Sequence, residues 1–134
     1  MERYMFEITP TTTLLFILVP LIATFAIQRL YLHLVNPNTD LYILGHNVHH
    51  LFVGALMAIP AAFVLAFRPE EPWLVFAALA LLGSGSSMVL DQIVFLIATD
   101  GSNASYLKPV SLYGAIILEA LAVVLLLVLY AVHV

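Results

Sequence analysis

Long apolar runs take up almost the whole chain, and they leave few folds open to it. They read TTTLLFILVPLIATFAIQRLYLHLV, LYILGHNVHHLFVGALMAIPAAFVLAF, WLVFAALALLGSGSSMVLDQIVFLIA and PVSLYGAIILEALAVVLLLVLYAVHV. Each is at least as long as the roughly 20 residues needed to cross a hydrocarbon core of about 30 Å. Inside lipid every backbone polar group must be bonded internally, so such runs form helices. The expected fold is an all-α integral membrane protein, a four-transmembrane-helix up-down bundle. It is expected to form a single transmembrane domain over 1–134, with helices at about 10–35, 41–67, 72–98 and 109–132. Composition agrees: 63% of residues are hydrophobic and only 9% charged, too few to coat a water-facing surface.

The connections carry recognisable stop and start signals. Thr9 is placed to cap the first helix with Pro10 at its first position, and Asn36, Pro37 and Asn38 end it. Thr39 or Asp40 can cap the second helix, RPEEP turns the chain into the third beside an interfacial Trp73, and TDGSNASYLK leads to the fourth. Both termini then lie on one side, here side A, with the 36–40 and 99–108 connections on side B. Arg3 and Arg68 on side A against Lys108 on side B favour a cytoplasmic side A. The amino terminus is acidic, and the apolar run behind it is long and lacks an A-x-A site, so it reads as a retained span. Asn103-Ala104-Ser105 matches a glycosylation sequon, but a three-residue match carries no weight.

Several functions are excluded at once. The absence of cysteine removes disulfides, thiolate metal sites and iron–sulfur clusters. A net charge of −4 gives no basic track, so nucleic acid is not a partner. Membrane lipid is the expected surroundings, with a second copy or another membrane protein as the expected protein partner.

What remains is the depth at which the few polar groups fall, because a charge in hydrocarbon is retained only when paired, hydrated or used. At 1.5 Å per residue, His46 lies about 9 Å and His50 about 15 Å in from the side-B end of the second helix. Asp91 lies about 10 Å in from the end of the third, Glu119 about 15 Å from the start of the fourth, and Gln28 and Arg29 about 10 Å from the end of the first. All four helices thus contribute to one polar layer in the side-B half.

HNVHH is the densest piece of that layer. If helical, His46, His49 and His50 stand at i, i+3 and i+4 on one face. With Asp91 and Glu119 they form a nitrogen and oxygen donor set suited to a divalent transition metal, zinc or iron. The economical set for one ion is His46, His50, Asp91 and Glu119, with His49 as a third nitrogen ligand, a supporting donor or one end of a two-metal site. A single buried Glu does not match the di-iron bundle pattern, and the placement of the other histidines does not suit haem. Arg29 is expected to snorkel, to pair with Asp91 or Glu119, or to hold an anionic substrate group, and His33 is an extra ligand candidate. Gln28, Gln92 and Ser87 could supply supporting hydrogen bonds, as could Tyr113 nearer the mouth, whereas His133 lies at the far end. The Gly83 to Ser87 stretch is a small-residue face for helix approach and a candidate contact between copies.

The expected function is a metal-dependent hydrolase or oxidoreductase acting on a lipidic substrate, with Arg29, Asp91 and Glu119 in catalytic roles. The alternative is ion or proton handling as an oligomer, or service as an accessory subunit of a membrane complex.

Overall fold

The computed structural model describes residues 8–34, 42–43 and 46–134, with the side chains of 42, 43, 46, 47 and 103 outside the description. Helix α1 runs Pro10–Leu34, a two-residue strand β1 Tyr42–Ile43, β2 His46–Asn47, α2 His50–Ala66, α3 Pro72–Ala98, a short α4 Asn103–Tyr106, and α5 Pro109–His133. The expected terminator at 36–38 and cap at 39–40 lie outside the described residues. At the other end of α1 the Thr9 hydroxyl accepts from the Thr12 amide at 3.1 Å, and Pro10 opens the helix, as the sequence predicts.

Helices α1, α3 and α5 are each long and apolar enough to cross a membrane. Their outer faces are coated in large apolar side chains: Ile27 is 65% exposed, Ile97 82% and Val132 76%. Water would not tolerate that surface, and lipid requires it. The chain is therefore a multi-pass membrane protein built as a bundle of helices.

The second helix departs from expectation. It begins at His50, not near residue 41, and is 17 residues long, about 25 Å. Ahead of it β1 and β2 pair antiparallel, Tyr42 opposite Asn47 and Ile43 opposite His46. Asn47 is a weak helix former, and over the described residues of this stretch strand pairing takes the place of the expected helix.

Helix α3 is the central element, packed against α1, α2 and α5. Lipid tails are as apolar as leucine, so helices in a bilayer associate by close packing, which favours small side chains. The GSGSS stretch serves this inside the chain. A Cβ on Gly54 of α2 would lie 2.6 Å from the Gly85 carbonyl oxygen, and one on Gly85 would lie 2.5 Å from the Gly54 carbonyl oxygen. Gly83 meets the Ile17 backbone of α1 in the same way. Gly83, Gly85 and Ser87 are buried within the bundle, so the face read as a contact between copies is used internally. Pro20 and Pro60 sit within α1 and α2, and both helices continue through them.

Replacing Gly85 with alanine is expected to force α2 away from α3 and to cost about 1–3 kcal/mol. A lower thermal midpoint in detergent checks this. A midpoint equal to wild type would mean that the two backbones do not need their close crossing.

Candidate functional site

The side-B half of the bundle is organised around one ion pair. Arg29 of α1 is 6% exposed and Asp91 of α3 is fully buried, and the Arg29 Nε–H donates to Asp91 Oδ1 at 2.6 Å. The rest of the guanidinium is also occupied. One terminal nitrogen donates to the Tyr106 carbonyl at 3.1 Å, and the other reaches the Ser111 hydroxyl at 3.3 Å and its carbonyl at 3.4 Å. The guanidinium carbon stands 4.2 Å from the centre of the Tyr106 ring, a cation–π contact. This long side chain turns inward and does not snorkel to water.

The second oxygen of Asp91 is shared. The Tyr106 hydroxyl donates to Oδ2, and His50 Nε2 lies 3.2 Å from the same atom. Which His50 nitrogen carries the proton follows from its neighbour Gln92. The Leu51 amide, a donor only, bonds Gln92 Oε1 at 3.0 Å, so the Gln92 amide nitrogen must be the group 3.1 Å from His50 Nδ1. Nδ1 therefore accepts, and the proton is on Nε2, directed at Asp91. Gln92 also satisfies one of the free amides of the first turn of α2, which has no side-chain cap of its own.

Tyr106 reaches the site because the side-B loop is bonded to itself. Gly101 takes a φ of 71°, open to glycine, and its amide donates to the Thr99 hydroxyl at 3.2 Å. The Ser105 hydroxyl bonds Thr99 Oγ1 at 3.0 Å and the Ser102 carbonyl at 2.8 Å. Hydrogen bonds from Ser105 and Ser102 hold the exposed Asp100 carboxyl down at about 2. Tyr106 itself is 5% exposed, edge-on to Phe95 and to His50. Burial and the adjacent Asp91 carboxylate push its phenol up, so it keeps its proton and acts as a donor.

Glu119 shares no described hydrogen bond with this cluster. It is 6% exposed on α5, and the Ser87 hydroxyl donates to its Oε1 at 2.7 Å. Of the two acids expected as partners for Arg29, Asp91 takes the ion pair and Glu119 does not.

The metal set predicted from HNVHH is not assembled in the described residues. Because α2 starts at His50, His46 belongs to β2 and the three histidines do not share a helical face. The His46 side chain lies outside the description. His49 precedes α2 and packs against the Phe95 ring at 6.2 Å. Among the described residues no group of three or more His, Asp or Glu is placed to hold a metal ion. Both nitrogens of His50 and both oxygens of Asp91 already have hydrogen-bonding partners, so an ion would have to displace them.

Of the supporting residues, Gln92 and Ser87 make the hydrogen bonds expected of them. Gln28 Oε1 is buried without a described partner, and His33 and Tyr113 are exposed. His133 is bonded to the Leu129 carbonyl at the far end of α5. Tyr106 and Ser111 are the members the sequence did not disclose. Ser111 had a signal, since Ser111, Ala115 and Glu119 recur every four residues on what proves to be the buried face of α5.

No protein family, no curated protein and no solved structure matched the chain, so its function is read from this geometry.

Asp91→Asn leaves Arg29 as a buried, uncompensated cation and is expected to cost about 3–5 kcal/mol in detergent unfolding, with part recovered in the Arg29→Met/Asp91→Asn double variant. Additive losses would show that the pair is not coupled. In ¹⁵N-histidine spectra, His50 is expected to show a protonated Nε2 and an unprotonated Nδ1. Gln92→Leu, which removes the amide from Nδ1, should abolish that preference.

Proposed function

We propose that this chain is a four-span membrane protein that handles protons, working as an oligomer or beside another membrane protein. The Arg29–Asp91–His50–Tyr106 cluster is its proton-exchange site on side B. In this reading α2, though short, is the fourth crossing, completed on side B by the chain ahead of His50.

The observation that carries the reading is the hydrogen-bond order at Asp91. His50 presents a proton to the carboxylate from Nε2 while Nδ1 stands ready to receive one. Imidazole accepts at one nitrogen and gives from the other, which is the basis of histidine shuttles. A proton taken at Nδ1 displaces the Gln92 hydrogen bond, and the Nε2 proton passes to Asp91 Oδ2. Asp91 is then neutral, and Arg29 loses its counter-charge but keeps the Tyr106 and Ser111 carbonyls. The cluster thereby has two arrangements separated by one proton, as a switch requires.

A partner is required because, among the described residues, the buried polar groups occupy only half of the bundle. Towards side A the buried residues Leu21, Ala61, Ala78 and Leu79 offer nothing a proton could use. A complete path therefore needs surfaces from a second chain.

The test is potential-driven acidification of proteoliposomes carrying an internal pH dye, over protein densities at which cross-linking reports oligomers. Flux is expected to rise with oligomer content and to fall to background in Asp91→Asn and His50→Gln. Wild-type vesicles no leakier than protein-free ones at every density would overturn the reading.

A further inference from the structure

The bundle holds a second buried acid that the side-B cluster does not use. Glu119 is 6% exposed; its Oε1 accepts from Ser87, but its Oε2 is buried with no hydrogen-bond partner among the described residues. A bare carboxylate oxygen in such surroundings forfeits its hydration without return, so the atom calls for a ligand.

The groups on the surrounding helices narrow the choice. Helix α3 supplies Ser87 and, one turn towards side B, Asp91, which is occupied by Arg29, His50 and Tyr106. Helix α1 supplies Arg29, turned to Asp91, and Gln28, whose Oε1 is another buried acceptor without a described partner. The described titratable groups at the start of α2 are His49, just ahead of the helix, and His50, its first residue, held at Phe95 and Asp91. No described cation pairs with Glu119. A calcium or magnesium ion here would want about six or more oxygens, and a zinc ion about four ligands. Glu119 and Ser87 offer the two carboxylate oxygens and one hydroxyl, and that hydroxyl already gives its hydrogen to Oε1. A proton needs only one oxygen and removes the buried charge, the costliest part of the lost hydration.

We propose that Glu119 Oε2 is a proton-binding atom, the inner station of the bundle, exchanging protons with the Asp91 cluster by way of Ser87. Ser87 and Asp91 stand at i and i+4 on the buried face of α3, so in this proposal a change of the Ser87 side-chain rotamer turns its hydroxyl from Glu119 towards Asp91. The station role rests on the proton-handling reading, whereas the proton-binding chemistry of Glu119 does not.

Dicyclohexylcarbodiimide, an apolar reagent, tests the chemistry on the full chain in vesicles. The carboxylic acid proton passes to a carbodiimide nitrogen as Oε2 bonds to the central carbon, and an acyl shift to nitrogen leaves a stable acylurea. The expected result is one reagent mass added at Glu119, none in Glu119→Gln and none at Asp91. A water-soluble carbodiimide should leave Glu119 unmodified. No adduct at Glu119, or equal labelling by both reagents, would overturn the proposal. Ser87→Ala is expected to keep the adduct and lose flux. An adduct without flux in any vesicle would retain the proton-binding atom and remove the transport reading. Flux surviving Glu119→Gln would remove the station and leave that reading standing.

Discussion

Burying an arginine and an aspartate in a bilayer-spanning bundle sacrifices two hydration shells, and the structure holds together in its side-B half only because each lost bond is replaced. Asp91 accepts from α1, α2 and the short helix before α5, while Arg29 reaches across to Tyr106 and Ser111. Apolar packing in lipid does not by itself choose one rotation of a helix over another. A charge that must meet its counter-charge does. The pair therefore sets the rotation of α1 and α3, and through His50 and Gln92 it also fixes where α2 begins.

Helix α3 bears two demands on one surface. Towards side A and the middle it must be narrow, and Ala78, Gly83 and Gly85 let neighbouring backbones come close. Towards side B it must be polar, and Ser87, Asp91 and Gln92 follow one another along the buried side. Close packing in one half keeps the polar groups of the other half at hydrogen-bonding distance, so the small residues act on the chemistry without touching it.

The sequence makes the membrane class plain and the ends of α3 and α5 nearly so, because proline starts and apolar length are local signals that lipid reinforces. Arg29 and Asp91 were legible as one layer, since depth follows from counting residues along a helix. The start of α2 was not. HNVHH has helical spacing, but spacing has meaning only within a helix, and here the helix begins at its last residue. Tyr106 was hidden for the opposite reason: it lies in what reads as a polar connection, and only the hydrogen bonds within the loop carry it inward. That Glu119 bonds Ser87 and not the Asp91 cluster was hidden as well, because equal depth along two helices does not fix which side chains meet.

The late start of α2 changes how the backbone is satisfied on one flank of the bundle. Its regular helix is about 25 Å long beside neighbours of 25 and 27 residues, so on that flank helical hydrogen bonding stops short of theirs. Ahead of it β1 and β2 bond to each other, and the first turn of α2 borrows its acceptor from Gln92 of α3. One glutamine thus joins the backbone of one helix to the side-chain chemistry of another, and a change at that position acts on both.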